Sequence, residues 1–301
     1  MSHHWGYVGA VASALLFGVG TTLNKIALSD VHPTVVAGLI YFFAGLTLVV
    51  VRFSPVRRHV MRALKTPTKT EPKICRKDIT VLGLIVLSGS IAAPFLFLNG
   101  LNQTTAINAS FLQNAECFFT ILIAVSFLKE KCNKKELAGS ALLLIGAVFL
   151  ATNAQFHALS LNEWFLGNLL IISACLFWGI DNNLSKFLCV KEDLILVTAL
   201  KCLVGGTSLL LLAYALNLNF YVPIAAFPYI ISVGAFSIGF SILFFMIGLK
   251  EIGSMRTGMI FSTASLFGAV SAFIVLQEPF TAVQALAGAA MVAGVYIIYR
   301  R

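Results

Sequence analysis

The sequence predicts an all-α integral membrane protein of ten transmembrane helices, arranged as two inverted five-helix repeats. Three observations lead there. Apolar residues make up 59% of the 301 residues and charged residues only 11%, with a mean hydropathy of +0.93. A soluble domain carries about a quarter charged residues, so this composition demands lipid as solvent. The apolar residues fall into ten runs, each near the roughly 20 residues a spanning helix needs. Finally, residues recur between the two halves at fixed offsets. The composition excludes disordered chains and nucleic-acid binders. The net charge of +9 is mainly a topology signal, with a lipid-headgroup role for the 52–77 loop as a second reading.

Span 1 covers 5–28 and span 2 covers 34–52. No Lys or Arg precedes span 1 and its apolar run is long for a signal peptide, so it is expected to be retained. A basic loop over 52–77 leads to span 3, 79–101, which contains Pro94. Proline removes one backbone bond and allows a bend. The short link Asn102-Gln103-Thr104 forces an antiparallel hairpin with span 4, 105–128; span 5 is 135–152. Spans 6 to 10 follow at 163–188, 194–216, 224–249, 254–276 and 281–299. The runs are continuous and lack the period-2 alternation of a membrane β-barrel.

Lys and Arg orient the chain. Nineteen of the 21 fall in the 2–3, 4–5, 6–7 and 8–9 loops and at the C-terminus. Lys25 is alone on the other side and Lys201 lies within span 7. Both termini are thus expected to be cytoplasmic, in a cell-membrane protein. The six cysteines avoid the outer loops and the five histidines avoid the spans. Neither disulfides nor a metal site nor any other cofactor is expected.

Gly6, Gly18, Leu23 and Lys25 match Gly167, Gly179, Leu184 and Lys186 at an offset of 161, as Ala44-Gly45 matches Gly205-Gly206. Gly100-Leu101, Leu128, Glu130 and Gly146 match Gly248-Leu249, Leu276, Glu278 and Gly294 at an offset of 148. The 13-residue difference falls in the basic 52–77 loop. The repeats are therefore 1–152 and 163–301. Because five is odd, the second starts from the opposite face, the inverted architecture of many secondary transporters.

Polar residues inside spans mark candidate sites, since a charge at the bilayer centre costs about 2.5–3.5 kcal/mol on insertion scales. Glu116 lies 12 residues into span 4, about 18 Å deep. It shares a helical face with Gln113 and Thr120 and has no basic partner at that depth. It reads as a proton-coupling residue or as a permanently protonated acid bonded to a backbone carbonyl. Asp181 and Lys201 each lie about 10 Å in from the same end of the span 6–7 hairpin. Their counterparts at the 161 offset are Gly20 and Ile40, so both charges are absent together from the first half. They read as a buried ion pair, acting either as a gate or as a static bridge. Thr21, Asn24 and Asn99 are candidates for a polar substrate cavity, together with Gln113, Thr120 and Asn182. Phe17 and Trp178 occupy equivalent places and are candidates for its apolar wall, or else are core. Glu130 and Glu278 read as helix-end residues. Gly139, Gly146, Ala287, Ala290 and Gly294 permit close packing, within a monomer or across a homodimer.

Several stretches resemble the EamA-type drug/metabolite transporter superfamily. They are Leu16-Phe17-Gly18 with Lys25, Asp30, His32-Pro33 and Ala44-Gly45; Asn114 to Thr120 followed by Leu128-Lys129-Glu130; and Leu276-Gln277-Glu278-Pro279 with the stretch from Gly288 to Gly294. The resemblance covers nearly the whole chain. Cys117 stands where the family often has proline, and Ile40 where it often has arginine. The resemblance implies a ten-helix transporter with a central cavity lined mainly by helices 1, 3, 4, 6, 8 and 9. It also implies a small-molecule substrate, with amino-acid export favoured over uptake or exchange of nucleobases, sugars or drugs. No GxxxxGK[ST] motif occurs, which argues against ATP-driven pumping. A membrane enzyme would need paired carboxylates or a His/Cys set at one depth. A sensor or scaffold would usually need a soluble domain. Among transport mechanisms, a channel stays open beside alternating access.

Overall fold

The computed structural model describes residues 4–54, 76–127, 129, 133–152, 163–188 and 194–299. Most of the basic 52–77 loop, Glu130, and Cys75, Cys132 and Cys189 lie outside them. Helix α1 is His4–Ala27, α2 Pro33–Phe53, α5 Lys134–Thr152, α6 Glu163–Leu188, α7 Leu194–Ala215 and α10 Ala282–Tyr299. Helix α3 runs from Arg76 to Gln103 and α4 from Ala106 to Ser126, each with an internal irregularity. Helix α8 is Ile224–Gly248. Helix α9 comprises the last part of the helical stretch that ends at Phe261 and, after a break, Ala264–Val275. Among the described residues, eight helices are long and apolar enough to cross a membrane, and two shorter apolar helices, in α9 and α10, join them.

The reversal between α8 and α9 takes place inside one hydrogen-bonded helical stretch, Ser241–Phe261. The rings of Phe245 and Phe261 lie 4.9 Å apart, although 16 residues along an unbroken helix would separate them by about 24 Å. The predicted hairpin is thus present, without a loop to mark it.

Local chemistry sets the helix ends. His32 accepts the Thr34 N–H on Nδ1 ahead of Pro33, the first residue of α2. Asn133 and Glu136 form a reciprocal capping box at the start of α5, and Thr281 and Gln284 form the same box at α10. Each box satisfies orphan N–H groups of a first turn. Lys129 after α4 and Gln277 after α9 both adopt φ 54°, a left-handed residue closing each helix.

Four interruptions break what the hydropathy presents as continuous helices. In α3, Val86–Ala92 is π-helical, and the Ala93 N–H reaches Ser88 O. Pro94 follows and cannot donate to Ser90 O, so the wider turn precedes the proline. In α8, Val233–Phe240 is π-helical, at the place equivalent to the α3 segment under the 148 offset. Helix α4 breaks at Gln113-Asn114 and α9 at Ser262-Thr263, again at neighbouring equivalents.

Packing recurs in pairs under the same offsets. A Cβ on Gly45 would lie 2.6 Å from Leu203 Cγ, and one on Gly206 would meet the Phe42 backbone. Gly206 is Gly45 shifted by 161, and Leu203 is Phe42 shifted likewise, so α2 and α7 cross on a self-matching contact. Gly139 meets Gly294, while Gly146 meets Ala287 and Met291, the same relation between α5 and α10 under 148. Small residues let these backbones approach, and in this chain those glycines serve internal packing. The main core cluster joins the two halves: Ile40, Leu112, Leu143, Ile171, Leu209 and Met291 are all buried in it.

Candidate functional site

A cavity of about 30 Å³ lies between the two halves, with Phe17, Thr21, Asn24, Tyr41, Gln113 and Trp178 in its wall. Among the described residues, no charged side chain lines it. Phe17 and Trp178 face it from equivalent positions, Phe17 stacking on Phe261 at 5.2 Å and Trp178 on Phe97 at 5.3 Å. The lining differs from the expected set of helices. Helix α2 contributes Ala37, Ile40 and Tyr41, and among the described residues α9 contributes none. The reason is that α2 packs against the π segment of α8, where a Cβ on Gly234 would lie 2.7 Å from Ile40 O. Tyr41 was absent from the sequence-derived candidates. It donates to Gly89 O at 3.3 Å, and its only advance signal is a hydroxyl midway along a largely apolar span.

The break at Gln113-Asn114 splits the polar stripe expected on span 4. Gln113 turns to α1, its Nε2 donating to Thr21 Oγ1 at 3.0 Å. Glu116 and Thr120 turn to α6 instead. Asn182 Nδ2 donates to Glu116 Oε1 at 2.7 Å and to Thr120 Oγ1 at 3.4 Å. Asn183 Nδ2 bonds Thr120 O at 3.0 Å. Glu116, Thr120 and Asn182 thus form one cluster beside the cavity rather than part of its wall. Asn99 is not in the wall either, because its Nδ2 donates to Phe95 O on its own helix at 2.7 Å.

Lys201 Nζ lies 2.7 Å from Asp181 Oδ2, and Ser185 Oγ donates to Asp181 Oδ1. Gly89, in the α3 π segment, leaves the space this carboxylate fills. The equivalent contact joins Gly20, the counterpart of Asp181, to Ser237 in the α8 π segment. Each irregular segment therefore touches the same level of the opposite half, once at a charge and once at a glycine.

At one end of the bundle the α3–α4 turn is tied from several sides. Lys25 Nζ donates to Leu101 O and Thr104 O at 2.7 and 2.6 Å. Glu278 accepts the Ala106 and Ile107 N–H groups at 2.8 and 2.9 Å. Asn168 Oδ1 accepts from both Thr104 Oγ1 and Asn108 Nδ2. A larger cavity, about 260 Å³, sits between α4, α5 and α6. Its wall includes Phe119, Leu143, Val148, Phe165 and Leu169 and, among the described residues, no charged group, and the exposed Val148 and Leu169 place it at the periphery. Among the described residues no three His, Cys, Asp or Glu side chains converge on a metal position.

The sequence model of the EamA-like transporter family matches residues 4–152 and 165–300. An uncharacterized transporter of Methanothermobacter thermautotrophicus is 40% identical over 99% of this chain and 87% of its own length. A protein of Streptantibioticus cattleyicolor named "Probable terminal-alkyne amino-acid exporter" is 26% identical over 75% of this chain and 74% of its own. A crystal structure with 17% sequence identity superposes with a TM-score of 0.67, covering 98% of this chain and 96% of that one. These matches and the helical architecture agree: the chain is an integral membrane protein and belongs to the EamA-like transporter family.

Proposed function

We propose that this transporter exports an amino-acid-like metabolite by alternating access, with residues 1–152 and 163–301 as the two moving halves and Glu116 as the proton-coupling group. The reading is carried by one observation: the central cavity lies where the paired contacts of the two halves meet, so an exchange of their conformations moves its opening from one face to the other. Two inverted copies of one sequence pattern make the two states similar in energy, which a reversible carrier requires. The aromatic and neutral polar wall suits a small amphipathic molecule, and the similarity to an amino-acid exporter points to the same class. The Lys and Arg distribution supports cytoplasmic termini in the cell membrane, and the end tied by Lys25 and Glu278 is then the outer one. Saturable counterflow of a labelled apolar amino acid in proteoliposomes tests the reading. Non-saturable flux without trans-stimulation would instead establish a channel.

A further inference from the structure

We propose that the side-chain amide of Asn24 anchors the substrate's head group, and that the ligand it selects is a net-neutral α-amino acid with an apolar side chain. The proposal rests on the transporter reading of the central cavity and assigns its specificity to one residue. Asn24 is 8% exposed and lines the cavity. Among the described residues its Oδ1 is buried with no hydrogen-bond partner. Two other polar groups of the wall are already engaged, Gln113 with Thr21 and Tyr41 with Gly89 O.

A buried amide oxygen without a partner destabilises the fold. It is best explained by a partner that is present only during part of the working cycle. A primary amide offers an acceptor and a donor side by side. A zwitterionic head group presents the complement, an ammonium donor next to carboxylate acceptors. Exchanging the amide's oxygen and nitrogen leaves this complementarity unchanged.

The rest of the wall narrows the ligand further. Among the described residues no charged side chain lines the cavity, so a net charge held within this wall would be desolvated with little compensation. The opposite-signed charges of a zwitterion partly compensate each other. Phe17, Tyr41, Phe97 and Trp178 supply a surface for an apolar side chain rather than for a second charge. At about 30 Å³ the cavity in this conformation has room for a water or two, so the amide meets the head group once the halves part.

The test uses the full-length protein in proteoliposomes with three probes: L-methionine, the anionic N-acetyl-L-methionine and the cationic L-methioninamide. The wild type is expected to exchange methionine and discriminate against the other two. Asn24→Leu keeps the side-chain shape and removes both polar atoms. It should leave the melting temperature unchanged or raised, since no internal bond is lost, and should raise KM for methionine about ten- to a hundredfold, the worth of a hydrogen bond to a charged group. Asn24→Asp should shift preference toward methioninamide. Unchanged KM in Asn24→Leu, with a lowered melting temperature, would overturn the proposal and show that the amide holds a structural water. Saturable wild-type exchange of all three probes alike would overturn the selectivity while leaving the transporter reading intact. Wild-type exchange of none of them would overturn both.

Discussion

Lys201 Nζ sits 2.7 Å from Asp181 Oδ2, and the pair bridges α6 and α7 where Gly89 of the α3 π segment leaves room for the carboxylate. Side-chain exposures of 16% and 9% make this a largely desolvated pair, in which removing one partner strands the other charge. Asp181→Asn or Lys201→Met alone should cost about 3–5 kcal/mol. The double variant should be more stable than either single one, because desolvation offsets much of the pair's attraction. Thermal unfolding in detergent measures this, and additive losses would refute the coupling. Recovered stability without recovered flux would give the pair a part in transport, consistent with its contact to an irregular segment.

Lys25 and Glu278 act on one turn from opposite sides, a cation on the carbonyls that end α3 and an anion on the N–H groups that begin α4. Each complements the local helix-end charge. Glu278→Ala leaves two first-turn N–H groups without their acceptor, and a lost cap typically costs about 1 kcal/mol. A modest fall in melting temperature is expected. A cysteine at the adjacent exposed Asn102 should then react faster with a membrane-impermeant maleimide than in the parent. An unchanged labelling rate would mean that the carboxylate does not hold this end closed.

The membrane orientation is testable with cysteines placed at exposed, described positions in a background without native cysteines. Asn102→Cys and Asn219→Cys should label from outside intact cells, and Lys134→Cys only after permeabilisation. One position labelling from the wrong side would overturn the inverted arrangement, because Asn102 follows the third span and Asn219 the seventh, and the four spans between them return the chain to the same face.

The ten spans were legible because hydropathy integrates over 20 residues and tolerates local error. The Asp181–Lys201 pair was legible for a related reason: two opposite charges at equal depth in one hairpin have few other places to go. Apart from the bend that Pro94 announces in span 3, the breaks were not legible. Val86–Ala92 holds a Ser88-Gly89-Ser90 stretch within its apolar run, but small residues do not by themselves specify a π turn, which depends on hydrogen-bond geometry around Pro94. Gln113 and Glu116 looked like one face because helical spacing assumes an unbroken helix, and the break at Gln113-Asn114 sends one to α1 and the other to α6. Glu278 was read as a helix-end residue, but which helix it caps is set by a contact across 171–172 residues. Tyr41 escaped because a tyrosine in an apolar span looks like core, and its place in the cavity wall depends on how α2 crosses the α8 π segment.

Glu116 gives the sharpest functional prediction. Its carboxylate accepts the Asn182 amide at 2.7 Å, in a cluster with Thr120 beside the cavity and at the start of the second segment of α4. That break lets the group lean toward α6, on the opposite half of the molecule. A coupling residue must sense both the proton and the movement between halves, and a contact spanning the halves does so. Glu116→Gln fixes the side chain in a form equivalent to the protonated acid and keeps an oxygen for Asn182. The variant should therefore fold normally and still exchange substrate at equilibrium. One proton moved per substrate supports about tenfold accumulation per unit of pH difference, and this accumulation should fall to none in Glu116→Gln. Uphill uptake and equilibrium exchange, measured in the same proteoliposomes, separate the outcomes. Undiminished uphill uptake would remove Glu116 from the proton path. Loss of both activities in a folded variant would reassign it to substrate binding, because exchange does not require net proton movement.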